Sequence, residues 1–445
     1  MRFKPRIILL TSITLLGAWL VSPGTTVEAP AEHAGHNHMT LVSDDQPTGA
    51  GAWTRLPDLP AAADNLAGGP PVPRLRQEHA TLAIGAKVYA IGGILGLSAP
   101  SCFPVGDAGS GGWCITNTID VFDTTTNTWA PPGAVANIGN DVASPPNLAQ
   151  DPLRRTAMIH PNAAVVDGKI YILGGMGSLT TPPDYPWFAD NFGYAGVYDP
   201  ATNLWTDLPD VPVQYRRGAG AVAAHGTKIY IAGGTRCHEG FRGECATYAS
   251  VTGMFTSYDT ATGVWVRLPD LPHSTDVWTG REMDGIDHMP GAFYHDSMYI
   301  FGGRENTLDV KAKRVFAFNV DTNTWSERAP MPTARSEPWG GRIGNHFHVI
   351  GGAGTWDPYG SCGLPPSLGV PCPAPLNGSP GFGTFDNHEV YNFPADKWSV
   401  LPPMPLPRHA DPVSGAVVGR SIYLPGGSTN EGAGPVSYFD KFTEY

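Results

Sequence analysis

Apolar residues in this chain come in short runs, not in the long stripes of period 3.6 that mark helices. The run KVYAIGG (87–93) returns as KIYILGG (169–175), KIYIAGG (228–234), SMYIFGG (297–303), HFHVIGG (346–352) and SIYLPGG (421–427). Each joins β-branched or aromatic residues to a glycine pair, the pattern of a buried strand ending where a Cβ would clash. A second pattern follows: VFDTTTNTW (121–129), VYDPATNLW (197–205), SYDTATGVW (257–265), AFNVDTNTW (317–325) and VYNFPADKW (390–398). It predicts two strands joined by a tight Asp/Asn/Thr turn, the second strand ending on Trp. Pro-rich stretches such as TDLPDVP (206–212) and VRLPDLP (266–272) come next, often followed by an Arg. A strand rich in small residues, as in GAVAAHGTK, then leads back to the next glycine pair. Six copies of one four-strand unit predict a repeat architecture.

Composition supports short strands and many turns: 55 Gly and 44 Pro in 445 residues, with aromatics at 10%. The formal charge of −12 comes without any basic block, which excludes nucleic acid as the expected partner. At the N-terminus, MRFKPR precedes the apolar IILLTSITLLGAWLV (7–21), and Ala29-Pro30-Ala31 offers small residues for cleavage. Residues 1–31 therefore read as a signal peptide, with a secreted or periplasmic destination and no transmembrane domain after cleavage. An uncleaved anchor is the rival reading. Residues 32–51 read as a flexible linker whose His33, His36 and His38 suggest weak metal capture.

The repeats resemble kelch repeats, whose marks are the Gly-Gly doublet, the downstream Tyr-Asp and the Trp. The resemblance runs over residues 53–445. It implies an all-β fold, a six-bladed kelch β-propeller occupying 52–445, each blade a four-stranded antiparallel sheet around a central channel. AWTRLPDLP (52–60) reads as an outer strand with no blade before it, and the last blade, ending in YFDKFTEY, lacks one. The N-terminal strand is expected to complete that blade and close the ring.

With strands named a to d from the channel outward, the long segments are 94–117, 133–153, 176–193, 235–252, 273–289 and 353–387. All are b–c loops or d–a links, which leave an up-and-down blade on one face. The six cysteines fall in three close pairs within b–c loops. Local disulfides Cys102–Cys114, Cys237–Cys245 and Cys362–Cys372 are the economical reading for an exported chain. Such a stapled face is where function is expected.

Reading back from each glycine pair gives candidate ligand-binding residues near the channel mouth: Arg76, His79, Arg155, His160, Arg217, Arg281, His288, Arg335, Arg408 and His409. A ring of guanidinium groups would grip carboxylates. The competing reading is structural, because such residues recur in kelch repeats. The stretch REMDGIDHM (281–289) departs from the repeat by adding Glu282, Asp284 and Asp287. One chemistry for it is a divalent metal held by Asp284, His288 and Glu282. The Asp284-x₃-His288 spacing is similar to half of the iron pattern of plant nitrile-specifier proteins, with Gly280 where their Glu stands. A second is acid–base catalysis, with Glu282, Arg281 and Asp287 as candidates, or Glu337 with Arg335 or Arg342. Similarity to sialic-acid mutarotases, also six-bladed, implies a Glu and an Arg at the mouth.

Tyr294-His295 is superficially similar to the copper ligands of galactose oxidases. It falls on a predicted a–b turn of the opposite face, and the cysteine pairings leave no free thiol, so a copper-radical cofactor is not expected. Trp113, Trp187, Phe188, Trp278, Trp339 and Trp356 lie near the elaborated face and offer stacking surfaces for sugars. The expected function is a binding module for a glycan, a small acidic ligand or a protein partner. The alternative is an enzyme, mutarotase- or epimerase-like or metal-dependent, acting on a sugar or acidic small molecule at the blade-four channel mouth.

Overall fold

The computed structural model describes residues 51–60, 75–95, 103–105, 113–140, 156–177, 190–236, 251–272, 274–275, 282–283, 285–305, 310–354, 384–410, 415–429 and 435–445. These belong to one compact unit, 43–445. The expected signal segment (1–31) and most of the linker, including His33, His36 and His38, lie outside the described residues. Among the described residues no helix is long and apolar enough to cross a membrane.

Six four-stranded antiparallel sheets form the blades. In order a to d, blade one is Ala80–Ile84, Lys87–Ile91, Ile119–Asp123 and Thr128–Trp129. Blade two is Ala163–Val166, Lys169–Gly177, Asp190–Asp199 and Leu204–Asp207. Blade three is Ala221–His225, Lys228–Ala232, Phe255–Asp259 and Val264–Leu268. Blade four is Gly291–Tyr294, Ser297–Phe301, Val315–Asn319 and Thr324–Arg328. Blade five is Trp339–Ile343, His346–Ile350, His388–Asn392 and Lys397–Leu401. Blade six takes Ala416–Val418, Ser421–Pro425 and Phe439–Thr443 from the C-terminal end and Ala52–Arg55 from the N-terminal end.

The closing strand pairs antiparallel in the register Trp53↔Phe442. Innermost strands of successive blades touch all the way round, blade six meeting blade one. The ring is therefore closed as the repeat pattern implies, with the N-terminal strand supplying the outer strand of blade six.

The repeated Trp has a specific task. Its indole N–H donates to a main-chain carbonyl at the Pro-rich exit of the preceding blade: Trp53 to Pro402, Trp129 to Pro57, Trp205 to Ala136, Trp325 to Pro269 and Trp398 to Ala329. Apolar contact supplies most of the adhesion between blades. Phe122, Phe439, Tyr423, Val88 and Leu56 join blades six and one. Phe301, Phe347, Tyr391 and Trp398 join blades four and five. Each such side chain contributes about 1.5–3 kcal/mol when fully buried.

The glycine pairs allow a second tier of pairing beyond each sheet. Past them, strand b continues beside the lead-in to strand a: Gln77 faces Ile94 and Asp287 faces Arg304. The same step appears as Ile159↔Met176, Gly218↔Thr235, Ser336↔Ala353 and His409↔Ser428. At Gly303, with φ of 103°, a Cβ would lie 2.6 Å from the Asp287 carbonyl oxygen. Only glycine fits that approach.

The two faces differ as the segment lengths imply. Strands a and b join through tight turns on one face, for example at Gly85, Gly226 and Gly344, and the c–d turns lie there too. Tyr294 and His295 belong to such a turn. All six cysteine side chains lie outside the described residues.

A candidate functional site on the propeller axis

Each d–a link enters strand a through one residue that abuts its counterpart in the next blade. In chain order these are Glu78, His160, Ala219, His288, Glu337 and Ala410. From the second onward, the main-chain N–H of each donates to the carbonyl of the one before: His160 to Glu78 at 3.1 Å, Ala219 to His160 at 3.3 Å, His288 to Ala219 at 2.9 Å, Glu337 to His288 at 2.9 Å and Ala410 to Glu337 at 2.7 Å. The first five have left-handed backbone, φ between 48° and 58°. Non-glycine residues rarely adopt it, and they hold it here because the ring of hydrogen bonds and the second-tier pairing fix the chain on both sides.

Side chains from this ring meet on the axis. His160 Nε2 lies 3.5 Å from Glu78 Oε2, and His288 Nε2 lies 3.7 Å from Glu337 Oε1. His409 Nδ1 reaches Glu337 Oε2 at 2.7 Å. The rings of His160 and His288 meet edge to face at 4.6 Å although blade three lies between them. They can do so because blade three contributes only the methyl group of Ala219. Blades three apart face each other, so Glu78 opposes His288, His160 opposes Glu337, and Ala219 opposes Ala410. Two acid–imidazole pairs thus cross the axis with the small residues between them, and every member is buried.

Behind His288, Asp287 is fully buried and accepts two hydrogen bonds from Arg304, at 3.0 and 3.1 Å. His288 Nδ1 is 2.9 Å from Asp287 Oδ1 and 3.0 Å from Arg304 Nη2. Those contacts compete for one nitrogen. A proton on Nδ1 pointing to Asp287 resolves them, leaving the Arg304 donors to the carboxylate.

Charge favours that state. Burial opposes the imidazolium, but Asp287, Glu337 and Glu78 overcome it and raise His288 to about 9. Glu78 is pushed up to about 7, first by burial and then by the like charge of Glu337. Burial acts the same way on Glu337, yet His409 and His288 hold its carboxyl well below the usual range. Near neutral pH one carboxyl of the cluster can hold a proton while the other is ionised. Such a split is the arrangement that acid–base chemistry uses.

The arginines of the sequence pattern turn the other way, into their blades. Arg76 donates to Gly92 and Thr118 and pairs with Asp120 at 2.8 Å. Arg335 pairs with Glu389 at 2.8 Å, and Arg408 with Asp440 at 2.6 Å. Among the described residues Arg217 forms no salt bridge, and it donates to the carbonyls of Gly233 and Ile231 and to Thr256 Oγ1. A guanidinium ring lining the channel, as read from the sequence, is corrected for these four: each is fully buried within its blade. His79 also packs inside, and burial lowers it to about 3. Arg342 is exposed beside the a–b turn carbonyl of Gly344, so it is not Glu337's partner.

Arg155, Arg281 and Asp284 lie outside the described residues. Glu282 lies in a two-residue strand, Glu282–Met283, whose side chains fall outside them as well. Among the described residues no group of three or more His, Cys, Asp or Glu is arranged to hold a metal ion. Of the aromatics, Trp339 is fully buried under Gly427 and beside Arg408, so it cannot stack on a sugar. The side chain of Trp113, and the whole of Trp187, Phe188, Trp278 and Trp356, lie outside the described residues.

Glu78 and Arg304 escaped the sequence reading. A signal for Glu78 existed: the axial position falls two residues after the repeat arginine in Arg76-Gln-Glu78, Arg217-Gly-Ala219, Arg335-Ser-Glu337 and Arg408-His-Ala410.

Fold and axis together define a six-bladed β-propeller, and comparison with known proteins shows what it resembles. Kelch motif profiles match residues 158–212 and 289–332. The chain is 29% identical over 392 residues to Kelch-like protein terF of Aspergillus terreus, covering 86% of this chain and 66% of that protein. It is 28% identical to Kelch-like protein 36 of Bos taurus, covering 62% of this chain and 36% of the other. For Kelch domain-containing protein 3 of Rattus norvegicus the identity is 26%, covering 67% and 66%. The chain thus spans about two thirds or less of these relatives. A solved structure titled "Structure of YjhT" superposes with a TM-score of 0.56 at 15% identity, over 86% of this chain and 95% of that one, a likeness of fold. The chain thus carries kelch motifs on a six-bladed propeller and is similar to kelch-repeat proteins.

Proposed function

We propose that the chain is an exported interaction module that grips a protein partner with the loop-bearing face of its propeller. The observation that carries this reading is the asymmetry of the faces. Among the described residues one face joins its strands by tight turns, while the strand ends that lead into the long connections lie on the other, beside the axial cluster. A stable protein interface needs roughly 800 Å² per partner, an area that long loops on a rigid ring are suited to present. The burial of Arg76, Arg217, Arg335 and Arg408 weighs against an acidic ligand held by a guanidinium ring. The apolar N-terminal run supports export.

The test is cross-linking of the tagged protein in its own host's extracytoplasmic fraction, followed by binding of the purified partner. Replacing 235–252 and 353–387 by short Gly-Ser turns is expected to weaken binding at least about tenfold, while His225→Ala and His295→Ala on the other face leave it unchanged. Unchanged binding in the loop variants, or binding of glycans alone, would overturn the reading.

A second reading, an enzyme using the axis for proton transfer to a sugar or acidic small molecule, is favoured by the opposed shifts of Glu78 and Glu337. Acceleration of an anomer exchange in NMR, lost in Glu337→Gln, would support it.

A further inference from the structure

The junction that closes the ring is built on two buried histidines. His348 on strand b and His388 on strand c of blade five are both fully buried, and His348 Nδ1 lies 2.9 Å from His388 Nε2. The closing blade packs directly on them. Phe442, from the C-terminal strand, meets the His388 ring edge to face at 4.4 Å and His348 at 5.6 Å. Trp53, from the N-terminal strand, meets His388 at 5.7 Å and Phe442 at 5.3 Å.

The charges around this pair differ on its two sides. Glu444 Oε1 lies 3.8 Å from His348 Nε2 and 3.3 Å from His346 Nδ1, and its other oxygen lies 3.1 Å from Arg420 Nη2. Next to His388 the nearby charge is Arg335, itself paired with Glu389. One proton on the pair can sit on the His348 side, facing Glu444. Among the described residues no carboxylate pairs with His388 to receive a second, which would put two imidazolium nitrogens 2.9 Å apart.

We propose that this junction is an acid-released clasp: a neutral histidine pair seats the two closing strands, and proton uptake by His348 and His388 frees Ala52–Arg55 and Phe439–Thr443 while the other blades stay folded. Burial lowers His348 to about 4 and holds His388 well below its ordinary value. Because both folded values lie below the unfolded 6.5, the stability that the neutral pair provides is complete above 6.5. It drains away as pH falls through about 4. Ala52–Arg55 is the outer edge strand of blade six and pairs with Phe439–Thr443, so its release opens blade six without tearing another sheet. For a protein that meets changing external pH, this places the opening at one known seam.

Hydrogen exchange read by mass spectrometry tests the clasp on the whole chain, at pH 6.5 and pH 4, with labelling times corrected for intrinsic rates. The expected result is that peptides covering 52–55 and 439–443 lose protection at least about tenfold more than Lys228–Ala232 of blade three. His388→Phe, which keeps an apolar ring but cannot titrate, is expected to retain that protection at pH 4. His348→Gln removes the same proton acceptor with a smaller change of shape and carries the same expectation. Equal loss in all blades, no selective loss at the seam, or undiminished selective release in both variants would overturn the proposal.

Discussion

In blade five, Arg335 lies fully buried with its guanidinium 2.8 Å from Glu389, and two residues later Glu337 turns to the axis and meets His409 at 2.7 Å. The first arrangement is repeated: Arg76–Asp120 and Arg408–Asp440 are its copies in blades one and six. The second is not, since the axial position holds Glu, His, Ala, His, Glu and Ala in turn. A polar residue that recurs from blade to blade serves the blade. One that differs at each turn of the ring gives the axis chemistry that the repeat does not dictate.

The arginines give the largest effects by which to break this contrast. Arg335→Met would strand the buried Glu389 carboxylate and is expected to cost about 3–5 kcal/mol in urea unfolding. Arg335→Met with Glu389→Leu should recover much of that loss. Arg217→Met strands no acid, since its partners are carbonyls and Thr256, and should cost less, about 1–3 kcal/mol. Equal costs for Arg335→Met and Arg217→Met would show that the paired acids matter little.

The axis should respond to shape and to pH. Ala219→Leu would fill the gap through which His160 and His288 meet, at an expected cost of about 1–3 kcal/mol. A smaller effect belongs to Glu78. Its folded value of about 7 lies above the unfolded 4.5, so the folded state holds the extra proton between those values. That contribution is fully present below pH 4.5 and is lost as pH rises through about 7. Glu78→Gln should flatten stability over that window; an unchanged slope would detach Glu78 from the axis.

Much of the fold was legible because each strand signal was repeated five or six times. KIYILGG and VYDPATNLW carry strand, turn and strand order, and the lone AWTR segment at 52–55 found its place by the outer strand missing from the last blade. The site was less legible because side-chain direction depends on which tier of the sheet a residue enters. Arg76, Arg217, Arg335 and Arg408 stand next to the axis in sequence but face their own strands b and c. Asp287 was legible as unusual, but its role in orienting His288 required the pairing of 286–287 with 304–305, which brings Arg304 beside it. Glu78 stood unnoticed beside His79, because only the common offset from the arginine marks the axial position.

The most direct measurement of the contrast is the titration of Glu78 itself, read from the carboxyl stretch in infrared difference spectra of the protein against Glu78→Gln. The account expects a protonated carboxyl that ionises near pH 7 and shifts to lower pH in Glu337→Gln, where the opposing charge is gone. A Glu78 carboxyl that ionises near 4.5 in both proteins would contradict it.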